Sequence, residues 1–233
     1  ERIDKPGTKV DTASEITLKG NPIPYVSRGG LKLEKAIKTL NIDLSGKRCM
    51  DIGASTGGFT DCMLQNGADH VFSVDVGYGQ LDWKLRNDER VTNMERTNIR
   101  YVTEAQIGEK IDFLSIDVSF ISLKLVLPVA KQLLKEDGSM VFLIKPQFEA
   151  GRDQVKKSGV IRDLKVHKQV LESIMHFCKE NEIFVSYLTF SPIKGPKGNI
   201  EFLAYATLIT DNTDLMIDTD KVAQSAHESL IAE

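Results

Sequence analysis

The residues of this chain best suited to chemistry gather around one stretch, Asp51 to Asp61, DIGASTGGFTD. An apolar lead-in with Cys49, Met50 and Ile52, bounded by Gly46 and Gly53, predicts a buried strand before it. Gly53, Gly57 and Gly58, with Ser55 and Thr56 among them, let the backbone turn sharply and approach a ligand, because no Cβ blocks the way. The next residues, FTDCMLQNG, predict a helix ended by Gly67. Such a turn holds a ligand at the helix N-terminus and at the carboxyl edge of a sheet. The spacing is D-x-G-x-x-x-G-G, with no glycine two residues after Gly53, which departs from the G-x-G-x-x-G of dinucleotide-binding folds. A second apolar strand, VFSVDVG, ends in Asp75, 24 residues after Asp51. A carboxylate there can accept from both hydroxyls of a ribose. By itself the glycine turn is compatible with a mere tight turn. Together with two strands and two acids it predicts a nucleoside-containing cofactor.

The elements that must position these residues follow from periodicity. Residues 1–20 contain a turn at Lys5-Pro6-Gly7 and an alternating Ile16 and Leu18, which predict a short β-hairpin. NPIPY, residues 21–25, is a stiff linker. Over 27–42, Leu31, Ala36, Ile37 and Leu40 recur at helical spacing, with Ser27 as the cap. The other face carries Lys32, Lys35 and Lys38, and for Lys35 and Lys38 a solvated face is the expectation. A short helix with Trp83 and Leu85, in the core or, as the lesser alternative, against the cofactor pocket, a third strand around VTNM, and a fourth strand ending at Asp117 come next. A helix closed by Gly138 then leads to a fifth strand that delivers Lys145, Pro146 and Gln147. Phe148 beside them suits core packing, with stacking on a displaced base as the other use. A basic loop, residues 151–162, precedes an amphipathic helix with Val166, Val170, Ile174 and Phe177 in its stripe. Two last strands, FVSYLTF and IEFLAYATLI, are joined by SPIKGPKGN, too long for a tight hairpin. A terminal helix is expected from Thr219. Strands alternating with helices predict an α/β fold, a mostly parallel sheet with both faces covered. Two final strands without a helix between them allow the last to enter antiparallel. In such a sheet the strand ends converge on one crevice, which puts Asp117 and Lys145 at adjacent strand ends; Glu201 opens the final strand, and Lys32 comes from the helix before the glycine turn.

With 233 residues, 41% hydrophobic and 27% charged, the chain suits one α/β domain with short extras. Cys49, Cys62 and Cys178 have no CxxC spacing, and the four histidines are scattered, so neither a disulfide framework nor a metal site is expected. No apolar run approaches the roughly 20 residues that span a bilayer, and no signal peptide opens the chain, so a cytoplasmic protein without membrane contact is expected. Glu1 is not an initiator Met, which suggests a processed or partial N-terminus. The net charge of −3 hides an uneven distribution: +4 over residues 1–48, +4 over 151–168 and −5 over 211–233. Clusters rather than totals create the field that a polyanion feels, though such clusters are also compatible with plain solvated faces.

The turn DIGASTGGFTD looks like the first motif of S-adenosylmethionine-dependent methyltransferases, whose Rossmann-like sheet has this antiparallel last strand. SRGGLKL, SIDVSF, LIKPQFE and GNIEFL resemble the four motifs that carry the Lys-Asp-Lys-Glu tetrad of FtsJ-type ribose 2′-O-methyltransferases. The wording SRGGLKLEKAI, DIGASTGGFTD, KPQFEAGR and GPKGNIEFL resembles the TlyA family of rRNA methyltransferases, often labelled hemolysins, over about residues 1 to 209. The resemblance implies a tetrad of Lys32, Asp117, Lys145 and Glu201, with Lys145 as base and the others orienting it and the 2′-OH. It implies S-adenosylmethionine held by Asp51, Gly53, Ser55, Thr56, Gly57, Gly58, Phe59, Asp75 and Asp117, with Glu95 and Asn98 near the adenine. It implies ribosomal RNA or ribosomal subunits as partner, cytidine as target, and phosphate contacts from Arg28, Arg152, Lys156, Lys157, Lys194 and Lys197. It divides the chain into the tail of a small RNA-binding module with its linker (1–22), a methyltransferase domain (23–210) and an acidic tail (211–233). Lys145 acts either as a true base or by steering the hydroxyl while its proton leaves to water. The rivals are a membrane-active hemolysin, for which the chain has no long apolar segment, a non-catalytic RNA-binding protein, and an NAD-dependent oxidoreductase, disfavoured by the glycine spacing.

Overall fold

The computed structural model describes residues 8–15, 23–151, 154–155, 159–210 and 217–231. The expected Lys5-Pro6-Gly7 turn and the alternating Ile16 and Leu18 lie outside them. Residues 8–15 are exposed, with a turn at Thr12 and Ala13 and no strand.

Seven strands form one sheet: β1 (Arg48–Ile52), β2 (His70–Val74), β3 (Val91–Met94), β4 (Ile111–Ile116), β5 (Leu134–Ile144), β6 (Phe184–Phe190) and β7 (Phe202–Thr207). Their order is β3-β2-β1-β4-β5-β7-β6. The first five run parallel, and β7 pairs antiparallel with both β5 and β6. The sheet thus combines the expected parallel majority with an antiparallel last strand. Two cores account for it. Met50, Ile52, Leu114, Ile116, Phe142 and Ile144 face one side. Their neighbours in sequence, Cys49, Phe113, Val141 and Leu143, face the other, as the two-residue period of a strand requires. Helices α5 (Leu123–Leu133), α7 (Leu164–Glu180) and α8 (Thr219–Ile231) cover the first face with Val126, Leu127, Val170, Leu171, Ile174, Ala223 and Ala226. Helices α1 (Gly30–Leu40) and α2 (Gly58–Gln65) cover the second with Leu33, Ala36, Ile37, Phe59, Cys62 and Met63. Short helices α3 (Trp83–Arg86), α4 (Glu104–Ile107) and α6 (Pro146–Glu149) fill the connections.

Three local expectations give way to tertiary packing. The helix before the fifth strand stops at Leu133 rather than at Gly138, because Leu134 is fully buried and pairs with Ile111 of β4, so β5 starts at that residue. Ser27 does not cap α1: the cap position is Gly29, with no side-chain hydrogen bond. Trp83 is 75% exposed, whereas Leu85 of the same short helix is buried, because a single turn has only one inward face. Lys35 is not a solvated lysine either. Its Nζ donates to the Phe190 carbonyl at 2.6 Å and sits 4.3 Å from the Phe190 ring centroid. Lys38 is exposed and pairs with Glu34 one helical turn away.

β1 is the point at which the strand order reverses, with β2 on one side and β4 on the other. In open α/β sheets a ligand crevice forms beyond the carboxyl ends of strands at such a point.

Candidate active site

The glycine turn follows β1 directly. Gly53 has φ +88°, and a Cβ there would lie 2.5 Å from the Asp117 carbonyl oxygen, so only glycine lets the end of β1 close against the end of β4. The Gly53 amide donates to Val74 of β2, and the Asp117 amide donates to Ile52 of β1. The three strand ends are thereby tied together by backbone alone.

Asp51, which opens the motif, does not reach outward. It is fully buried and accepts from the Thr60 amide and hydroxyl at 2.9 and 2.8 Å and from the Ser115 hydroxyl at 3.3 Å. Its carboxylate fastens the start of α2 to β1 and β4. Burial pushes its pKa up to about 7, against the pull of the Thr60 hydrogen bonds. Asp75, at the end of β2, accepts from the Ser55 amide at 2.8 Å and the Gly77 amide at 2.7 Å. Each of its oxygens keeps a second lone pair for a hydroxyl. Glu95 is engaged elsewhere: it chelates Arg86 at 2.7 and 3.0 Å, and that hydrogen-bonded guanidinium holds its carboxyl down at about 2. Asn98 caps the 3₁₀ turn Ile99–Tyr101 through the Arg100 amide.

Beyond the strand ends opens a cleft of about 900 Å³, a size that holds a nucleoside cofactor with room for an acceptor. Gly53, Ser55, Thr56, Gly58 and Phe59 border it on the side of the glycine turn. Lys32, Asp117, Lys145 and Glu201 border it together. Lys32, on α1, reaches Glu201 Oε2 at 2.7 Å and Asp117 Oδ2 at 3.3 Å. Lys145, just past β5, lies 2.5 Å from Asp117 Oδ1 and donates to the Ser119 hydroxyl at 3.1 Å. The contact with Asp117 Oδ1 is a charge contact off the hydrogen-bond line, since that oxygen has no aligned donor. The result is an alternating chain, Glu201–Lys32–Asp117–Lys145, of two cations and two anions. Lys32 and Lys145 are each 7% exposed and Glu201 is fully buried. Burial alone would drive the Lys32 ammonium down, but Asp117 and then Glu201 outweigh it, and its pKa is raised. Lys32 is therefore the fixed cation of the chain.

Arg28 is exposed at the rim of the cleft, and Lys194 and Lys197 border it. Arg152, Lys156 and Lys157 lie outside the described residues, although Val155 and Gly159 of the same loop line the cleft. Two residues escaped the reading of the sequence. Ser119 shares Lys145, and Phe120 is 91% exposed with φ +63°, its ring 5.0 Å from that of the half-buried Phe148. The signal was there in SIDVSF: an aromatic three residues past a charged strand end cannot be part of the strand's core face.

Comparison with known proteins accords with this geometry. The FtsJ-like methyltransferase family profile matches residues 25–207. The Bacillus subtilis protein YqxC is 55% identical over 205 residues, 88% of this chain and 73% of YqxC. The 16S/23S rRNA (cytidine-2′-O)-methyltransferase TlyA of Mycobacterium tuberculosis is 42% identical over 208 residues, 89% of this chain and 78% of the relative. A solved Streptococcus thermophilus structure that carries a hemolysin name superposes with a TM-score of 0.87 at 48% identity, covering 98% of this chain and 83% of that one. A profile that spans most of the chain, and relatives this similar over this much of their length, show that the chain belongs to the FtsJ-like methyltransferase family.

Proposed function

We propose that the chain methylates the ribose 2′-OH of cytidine in ribosomal RNA, from S-adenosylmethionine, and does so in the cytoplasm where ribosomes are made. The observation that carries the reading is the Glu201–Lys32–Asp117–Lys145 chain beside a cleft bordered by the glycine turn. The cofactor fits the residues present: Asp75 has lone pairs for a ribose diol, and the turn at Gly53 lets the ligand approach the strand ends. When bound, S-adenosylmethionine supplies an electrophilic methyl group on a sulfonium.

The protein's task is then mainly alignment, which can supply roughly 7–11 kcal/mol. Lys32, locked between two carboxylates, fixes Asp117 and Glu201. Asp117 in turn holds Lys145. The Lys145 Nζ, shared with Ser119, is the group on which a 2′-OH would rest, where it would either take the hydroxyl proton or steer the hydroxyl while that proton leaves to water. Phe120 presents an almost fully exposed ring at the cleft, a face on which a splayed-out base stacks. The basic residues Arg28, Arg152, Lys156, Lys157, Lys194 and Lys197 meet phosphates, which carry no base information. Residues 23–210 form the catalytic unit, and residues 1–22 belong to an RNA-binding module.

The test is methyl transfer to ribosomal subunits that lack 2′-O-methylcytidine, with the site mapped on each subunit's RNA. Wild-type chain should modify cytidine ribose. Lys145→Ala should lose transfer while S-adenosylhomocysteine affinity stays within about threefold, a change under roughly 0.7 kcal/mol. Wild-type turnover in that variant would remove Lys145 from the chemistry.

A further inference from the structure

Two loops border the cleft in addition to the glycine turn. One is 151–162, which contributes Val155 and Gly159. The other is 191–200, which contributes Ile193, Lys194, Gly195, Pro196 and Lys197. Both carry the basic residues assigned to phosphates. Their relative position is set by Asn199, a polar residue only 4% exposed. Its Oδ1 accepts from the Ile161 amide at 3.2 Å, and its Nδ2 donates to the Gly159 carbonyl at 3.1 Å. The side-chain amide thus pairs with the backbone of 159–161 as another peptide group would. The same Nδ2 also donates to the Pro196 carbonyl at 3.1 Å, and the Gly195 amide donates to the Asn199 carbonyl at 2.9 Å, so 195–199 closes into a tight ring.

That ring abuts the catalytic chain. A Cβ on Gly195 would lie 2.1 Å from Glu201 Oε1, so the loop backbone presses directly against the carboxylate that holds Lys32. Glu201 Oε1 is itself buried without a hydrogen-bond partner, so the wall at Gly195 is what confines it. Asn199 is two residues from Glu201 and touches both loops, yet its amide is spent on backbone groups.

We propose that Asn199 is a positioning residue of the methyl-transfer reaction: its amide clamps residues 159–161 to residues 195–199, so that both segments meet the RNA at fixed spacing beside Glu201. The inference rests on the RNA methyltransferase reading and adds to it a residue outside the Lys-Asp-Lys-Glu chain. Asparagine is needed because one side must accept and the other donate. Aspartate keeps the shape, loses both donors, and sets a carboxylate against the Gly159 and Pro196 carbonyls.

The test compares wild type, Asn199→Asp and Asn199→Ala in three measurements: steady-state methyl transfer to unmodified ribosomal subunits, calorimetric titration with S-adenosylhomocysteine, and amide hydrogen exchange of the ligand-free protein. A clamp predicts that Asn199→Asp raises KM for RNA about tenfold or more and leaves the S-adenosylhomocysteine Kd within about threefold, and that Asn199→Ala, which also removes the acceptor, speeds exchange at Ile161 and Gly195. An unchanged KM overturns the proposal. So does a parallel loss of cofactor affinity and thermal stability, which would make Asn199 a plain folding residue. Absence of methyl transfer by wild-type chain overturns the function reading instead. The clamp is then decided on exchange, and unaltered rates at Ile161 in Asn199→Ala sink it.

Discussion

At the scale of single residues, the two lysines of the proposed catalytic chain are not equivalent. Lys32 sits between two carboxylates, one of them fully buried. Removing it leaves Glu201 as an uncompensated buried charge, which costs about 3–5 kcal/mol. Lys32→Met should therefore lower the free energy of urea unfolding by that amount as well as abolish methyl transfer. Adding Glu201→Leu should restore much of the stability and none of the activity. Lys145, with one carboxylate and a hydroxyl, should affect activity far more than stability. Phe120 makes the complementary case. An aromatic side chain that is 91% exposed on a left-handed backbone contributes little to folding. Phe120→Ala should leave the melting temperature unchanged and weaken turnover on RNA by roughly 1–3 kcal/mol, the worth of one stacked base, read as a higher KM. Unchanged kinetics would assign the ring no part in RNA binding.

Helices and strands bring their own chemistry. Glu149, in the KPQFE run, accepts from the Ser122 hydroxyl at 2.6 Å and the Leu123 amide at 2.8 Å, so its carboxylate fastens α6 to the start of α5. Its place in a motif is structural. Helices α7 and α8 are joined by His167 and His227, whose ring nitrogens are 2.7 Å apart, with Lys168 and Asp220 paired alongside at 3.1 Å. Burial, and after it the neighbouring His227, push His167 down to about 4. An unfolded histidine takes its proton near 6.5. The folded state thus binds fewer protons between about 6.5 and 4, and stability falls as pH drops through that window. Between pH 7 and pH 5 the wild type should lose on the order of 2 kcal/mol more stability than His167→Gln, compared by melting curves at the two pH values. Equal acid sensitivity of the variant would place the titrating group elsewhere.

For the molecule as a whole, charge distribution outweighs total charge. A net −3 would repel RNA, yet Arg28, Lys194 and Lys197 cluster at the cleft while the acidic excess lies beyond residue 210. If about three phosphates are neutralised, KM for RNA should rise about twentyfold or more between roughly 50 and 200 mM salt, with kcat nearly constant. A flat salt profile would mean that shape and stacking carry recognition. Among the described residues, no helix is long and apolar enough to cross a membrane, and no group of three or more His, Cys, Asp or Glu could hold a metal.

Much of this was legible without coordinates, for a physical reason. Strand and helix periods, the glycine turn and the residues just past strand ends are local properties, and strand ends of a parallel sheet converge wherever the order reverses. That argument sufficed to bring Asp117 and Lys145 together, while Lys32 and Glu201 were joined to them by the resemblance of their motifs. Periodicity shows which face of an element is apolar, but not what a polar residue meets across the fold. Packing alone decided that Lys32 would lie 2.7 Å from a carboxylate 169 positions away, that Lys35 would bind Phe190 and not water, and that Asp51 would turn inward. It also left Trp83 exposed and started β5 at Leu134. The amide of Asn199, paired with a backbone some forty residues upstream, belongs to the same class: a partner chosen by the closing of two loops, which no run of neighbouring residues encodes.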